Sequence, residues 1–261
     1  MKTLTKALPI LAVALSFNFA SAEEYYSSPT LTYSVTRNYQ VDDGENVYQV
    51  NGDPEDLYPG AVSEDADAVD VWRVSRTMKL AKSCKYFANE EEYGAWGNAV
   101  VTALRSHNYE RLMQGSPDLH QICKGYKNFG REDKESIWVL ILSSMANFES
   151  TCNERPRIAQ GPNGSLVGLL QLHRAKENRY SKGCSKYDGD TAISTIPCAL
   201  AMLDNQLRRD GSLFNTKTYW DVLRINSRTR KKAPQLRNGR VRYASPAQLI
   251  KEAVMQYPGC N

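Results

Sequence analysis

Residues 131–150 read REDKESIWVLILSSMANFES, and residues 151–172 read TCNERPRIAQGPNGSLVGLLQL. In the first stretch Ile137, Trp138, Ile141, Leu142, Met145 and Phe148 recur at three- and four-residue spacing, so it predicts an amphipathic helix over Arg131–Ser150. In the second, Arg157–Gln160 and Ser165–Leu172 flank the turn Gly161-Pro162-Asn163-Gly164, the pattern of a β-hairpin or a pair of irregular strands. Glu149 continues the line of Trp138, Leu142 and Met145 at helical spacing. A carboxyl on the core side of a helix is desolvated and its pKa rises, which suits a group that must deliver a proton near neutral pH. The plainer reading is a fraying helix end with Glu149 in solvent, and from position alone that reading is the commoner one.

Outward from this stretch the chain remains mainly helical. Helices are expected over Ala68–Phe87 and Glu90–Arg111, from Ser116-Pro117-Asp118 through Cys123, over Thr191–Asp210 with Gly211 closing it, and over Tyr219–Arg224 and Ser245–Gln256. The fold class expected is α+β, mainly α, with a small hairpin. Ahead of it, residues 23–70 form a polar extension in which Thr30–Val35 and Val47–Val50 alternate like short strands. Residues 1–22 have the marks of a signal peptide: Lys2 and Lys6, an apolar run Ala7–Phe19, and Ala20-Ser21-Ala22. The domain reading is therefore a signal at 1–22, an acidic extension at 23–70 and a catalytic part at 71–261. The product is secreted or periplasmic and keeps no integral membrane segment once the signal is removed.

Charge and cysteines narrow the function. Residues 23–70 hold twelve acids and one base, Arg37, whereas residues 71–261 hold 30 bases and 17 acids. A cationic catalytic part suits an anionic polymer, although the two halves also neutralise one another. Arg224–Arg242 carries eight bases and no acid, either a solvated loop or a basic rim along a cleft. Nucleic acid is not the expected partner, since no zinc-finger, RNP or phosphate-loop signature occurs. Six cysteines (84, 123, 152, 184, 198 and 260) with no C-x-x-C favour three disulfides, whose pairing the sequence leaves open. With only His107, His120 and His173, no metal and no cofactor is expected. Asp188-Gly189-Asp190 lacks the remaining ligands of a calcium loop.

Phe148-Glu149-Ser150 followed by Gly168-Leu169-Leu170-Gln171-Leu172 resembles the first two motifs of the soluble lytic transglycosylases, with Leu170 in place of the usual Met. The resemblance covers about Arg131–Tyr257 and implies a lysozyme-like fold, a cleft beside the hairpin, and cleavage of the β-1,4 bond between N-acetylmuramic acid and N-acetylglucosamine in peptidoglycan by a single chain. It implies Glu149 as acid and base, Ser150 as orienting it or the substrate, Gln171 as lining the cleft, and Gly168 as letting glycan approach the backbone. The plainer reading of Gly168 and Gln171 is a bulged strand with one exposed amide. The family's Ala-Tyr-Asn is matched here by Thr218-Tyr219-Trp220, which keeps the Tyr and loses the Asn that helps bind an acetamido group. Trp220 offers a stacking face for a sugar or fills the core, and Tyr257 corresponds to the family's closing Tyr. With its cysteines, the chain also resembles lysozymes that predatory bacteria aim at deacetylated peptidoglycan. A second carboxylate is not marked; Asp188, Asp190 and Asp204 are the candidates. Attack by water makes a lysozyme, and attack by the muramoyl 6-hydroxyl makes a transglycosylase. Two other classes stay open: a non-catalytic wall-binding protein, and a wall peptidase using His173 with a free cysteine.

Overall fold

Helix α4, Arg131–Ser150, forms as the spacing predicts, but it is not a surface helix with one apolar stripe. Six consecutive residues, Ile137 to Leu142, are all buried, because the unbroken apolar run leaves no polar face to present to water. The chain packs around it. Helices α1 (Ala95–Ser106), α2 (Glu110–Gln114), α3 (Pro117–Ile122), α5 (Ala192–Asp210) and α6 (Pro246–Met255) supply the helical layers, with α1 and α6 against α4 and α5 against α1 and α2. The fold is α+β and mainly α. In this computed structural model the described residues are the backbone of 39–42 and 47–50, and residues 76–261 apart from 90, 108, 162 and 234–241. The chain divides into two units, Met1–Ser63 and Glu64–Asn261.

In the first unit β1 (Tyr39–Asp42) pairs antiparallel with β2 (Val47–Val50), with Tyr39 opposite Val50. The strand expected at Val47–Val50 is therefore present, while those expected at Thr30–Val35 and the signal segment lie outside the described residues. In the second unit a three-stranded antiparallel sheet runs β3 (Arg157–Gly161), β4 (Gly164–Val167), β5 (Leu172–His173), one strand more than a hairpin. A third pair, β6 (Lys231–Ala233) and β7 (Arg242–Ala244), falls within and at the end of the basic stretch read as a solvated loop or a basic rim.

Two helix expectations need correction. Within 76–87 the chain is extended and then makes a single 3-10 turn at Lys82–Cys84, rather than continuing a helix from Ala68. The apolar spacing there comes from Met78, Cys84 and Phe87 reaching the core from a turn, with Cys84 tied to Cys152. The helix expected from Glu90 begins only at Ala95: Asn89 Oδ1 accepts from the backbone N–H groups of Glu91 and Glu92, and Ala88 bridges Tyr93, so the chain turns first. The ends of α5 and α6 follow the sequence signals. Thr191 and Ser245 accept from the N–H groups of Ser194 and Gln248, and Gly211 closes α5 at φ 65°.

The buried polar residues of α4, Asp133, Glu135, Ser136 and Ser143, all have partners. Glu135, 1 % exposed, takes Arg105 through two hydrogen bonds of 2.9 and 2.7 Å and Arg131 at 2.9 Å. Trp138 donates to the Leu112 carbonyl, which Tyr126 also reaches. Three disulfides, Cys84–Cys152, Cys123–Cys260 and Cys184–Cys198, use all six cysteines and fit a chain that matures outside the reducing cytosol. No helix among the described residues is long and apolar enough to cross a membrane.

Candidate functional site

The end of α4 is held in an unusual backbone. Thr151 and Cys152 follow at φ 58° and 52°, both left-handed, a conformation that disfavours a β-branched residue. Two restraints hold it: the Cys84–Cys152 disulfide, and Ser150 Oγ, which donates to the carbonyls of Ala146 (3.1 Å) and Leu169 (2.7 Å). Ser150 is thus the tie between the helix end, which carries Glu149, and the turn Gly168–Gln171. Gly168, at φ +75°, is a glycine because a Cβ there would overlap the carbonyl oxygen of Gly189. The close approach seen here is to the chain itself.

Past this turn, Glu149, Gln171, Tyr219 and Trp220 come together around a cavity of about 320 Å³, with Asn163, Leu166, His173, Tyr180, Lys217, Thr218, Asp221 and Arg224. Glu149 is half-buried there, and its pKa is raised from 4.5 to about 7. Burial of the carboxyl is the main cause, the charge of Asp221 adds to it, and Lys231 on β6 opposes both. Gln171 sits in the left-handed region at φ 50° and donates from Nε2 to Gly168 O (2.8 Å) and Pro156 O (3.3 Å). Its Oε1, like Thr218 Oγ1, is buried without a hydrogen-bond partner among the described residues. Tyr219 Oη accepts from the backbone N–H of His173 (2.9 Å) and pairs with His173 Nδ1 (2.7 Å), which Tyr180 Oη also reaches at 3.1 Å. Burial raises the Tyr219 phenol, so it stays a neutral hydrogen-bonding group.

Other expectations fall elsewhere. Trp220 is 2 % exposed and donates its indole N–H to Leu170 O at 2.8 Å, so it braces the Gly168–Gln171 turn from the core and has no open face for a sugar. Tyr257 does not reach the cavity. Its hydroxyl donates to Asp133 in the first turn of α4, a distance of about 24 Å along the helix from Glu149 at 1.5 Å per residue. The three acids considered as a second carboxylate are engaged away from the cavity. Asp188 accepts from the Ser185 N–H, Asp190 takes Arg174 at 2.8 Å through both oxygens, and Asp204 takes Arg208 and the Arg111 N–H. The acid beside Glu149 is Asp221, which the sequence reasoning passed over although it directly follows Tyr219-Trp220. Lys217, Arg224 and Lys231 were likewise missed as individual residues.

Of the described residues, only Cys184, Asp188 and Cys198 cluster closely enough to suggest a metal site, and the two cysteines are joined to one another. With every cysteine paired, the chain has no thiol to serve a peptidase.

This arrangement defines a mainly α fold in which a helix end, a small sheet and the segment after α5 meet around a desolvated carboxyl. No protein-family profile matches the sequence, and no curated protein matches it. Among solved structures the chain is similar to a Bdellovibrio protein, Bd0314 DslA. The likeness is 24 % identity and a TM-score of 0.51 to one Glu-to-Gln mutant form, and 22 % and 0.50 to the wild type and to a second such mutant. Each comparison covers 64 % of this chain and 91 % of the other. At that identity the likeness is one of fold.

Proposed function

We propose that this chain is a peptidoglycan glycosidase with Glu149 as its acid. The observation that carries the reading is a carboxyl whose pKa is raised to about 7, set in a cavity beside the Gly168–Gln171 turn. Such a group is protonated in a useful fraction at neutral pH and becomes a base once its proton has gone. Glu149 protonates the leaving glycosidic oxygen between muramic acid and glucosamine, and the bond to the anomeric carbon breaks. Tyr219 and His173 fix the opposite wall by their mutual hydrogen bonds. The unpartnered Gln171 Oε1 favours a sugar hydroxyl or amide N–H as its partner, because a buried acceptor left alone costs about 1–3 kcal/mol. Lys217 and Arg224 on the cavity wall suit the carboxylates of the wall polymer. The similarity in fold to a Bdellovibrio protein and the three disulfides accord with an enzyme acting outside the cytosol on cell wall, working as a single chain.

The test is Glu149→Gln assayed on purified sacculi by turbidity and by zymogram. The amide is nearly isosteric but carries no transferable acid proton, and loss of a general acid is typically worth about 10²–10⁴-fold. Cleavage should be lost while pelleting with sacculi persists. Cleavage at the wild-type rate would remove Glu149 from the reaction, and a wild-type protein that binds sacculi without cutting them would make the chain a wall-binding protein.

A further inference from the structure

Asp221 lines the same cavity as Glu149, yet its surroundings are opposite in kind. Its Oδ2 accepts from the hydroxyls of Ser227 (2.6 Å) and Thr229 (3.2 Å), and its Oδ1 faces Arg224 Nη1 at 3.9 Å. The groups that touch it are thus two donors and a cation, and the side chain is 49 % exposed, so water reaches it. Glu149, by contrast, is half-buried, and burial is the main cause of its raised pKa. Asp221 and Glu149 are the only carboxylates among the described residues lining the cavity. A half-buried carboxyl and an exposed one lining the same cavity are a pair from which a glycosidase can draw its acid and its base.

We propose that Asp221 is the base of the reaction, activating a water molecule for attack on the anomeric carbon, so that the chain is a hydrolase rather than a transglycosylase. The inference rests on the glycosidase reading above. The water oxygen bonds to the anomeric carbon as the glycosidic C–O bond breaks. Glu149 gives its proton to the leaving oxygen, and Asp221 takes one proton from the water. Solvent afterwards carries a proton from Asp221 back to Glu149. One water is consumed, and direct displacement of a β-linked leaving group gives the α-anomer first.

The experiment uses the wild-type chain and a soluble muramic acid-containing tetrasaccharide prepared from sacculi. Proton NMR within the first turnovers should show the α-anomer. Digestion in ¹⁸O-water should place one label at each new reducing end, with no 1,6-anhydro ends by mass spectrometry. The β-anomer appearing first, or anhydro ends as the main product, would overturn the proposal without calling on any variant. Asp221→Asn, whose amide oxygen still accepts from Ser227 and Thr229, should cut turnover by about 10²-fold or more at unchanged affinity for sacculi. Turnover within about fivefold of wild type would also overturn it. If Glu149→Gln is inactive while Asp221→Asn is not, only the base assignment fails. If Glu149→Gln is fully active, the reading beneath it fails.

Discussion

Replacing Glu149 by Gln should change stability in a way that depends on pH and needs no substrate to observe. The carboxyl titrates near 4.5 in an unfolded chain and at about 7 in the folded one. That difference is worth roughly 3 kcal/mol at about 1.4 kcal/mol per tenfold, and solvent entering the cavity trims it to about 2 kcal/mol. The sign follows from proton binding. The folded state holds the proton more tightly, so ionising Glu149 costs stability as pH rises from about 4.5 to about 7, and the cost is constant above that. Gln never ionises and escapes the cost. At about pH 4.5 the two proteins should differ only by a fixed offset; at about pH 8.5 the Gln variant should gain about 2 kcal/mol on wild type. For a domain of this size that is roughly 4–8 °C in Tm. Thermal melts followed by circular dichroism at both pH values give the answer. Comparing the proteins pairwise cancels every other titrating group, including Asp190 and Glu252, which their arginine partners hold low. An offset identical at both pH values would show that Glu149 is not desolvated, and the argument for it as an acid would lose its basis.

Three further outcomes are expected. Wall cleavage should fall as pH rises through about 7, where Glu149 loses its proton; because Lys231 favours the carboxylate, Lys231→Met should move that limb upward in a pH–rate profile, and an unmoved limb would remove Lys231 from the site. Gly168→Ala should cost about 2–4 kcal/mol in urea unfolding, since φ +75° and the Gly189 carbonyl both oppose a Cβ, whereas a cost below about 1 kcal/mol would mean that the turn relaxes freely. Deacetylated sacculi should be cut at least as fast as untreated ones at matched salt, because Trp220 is buried and offers no amide to an acetamido group. Faster turbidity loss on untreated sacculi would contradict this.

What the sequence made legible is what local rules decide. The limits of α4, the caps Thr191, Gly211 and Ser245, and the strand at Val47–Val50 all follow from spacing, turn chemistry and capping within a few residues. What lies beyond those rules depends on distant segments. Tyr257 was placed by its position in a motif and Trp220 was left between a stacking face and the core, but an aromatic side chain goes where its surface is best buried and its polar tip finds a partner. Those partners are Asp133 and the Leu170 carbonyl, on distant segments. Gly168 was read as letting glycan approach or as part of a bulged strand, and nothing in the sequence names Gly189 as the group for which its missing Cβ makes room.

Asp221 is the instructive omission. Its side chain gains meaning only from Ser227 and Thr229, which hold it, and from Glu149, which lines the same cavity from another element. In the sequence it is one acid among 29, beside a motif residue whose mismatch drew the attention. Trp220 turns its indole to the Leu170 carbonyl, and Asp221, the first residue of the 3-10 turn Asp221–Leu223, is held exposed on the same cavity by Ser227 and Thr229.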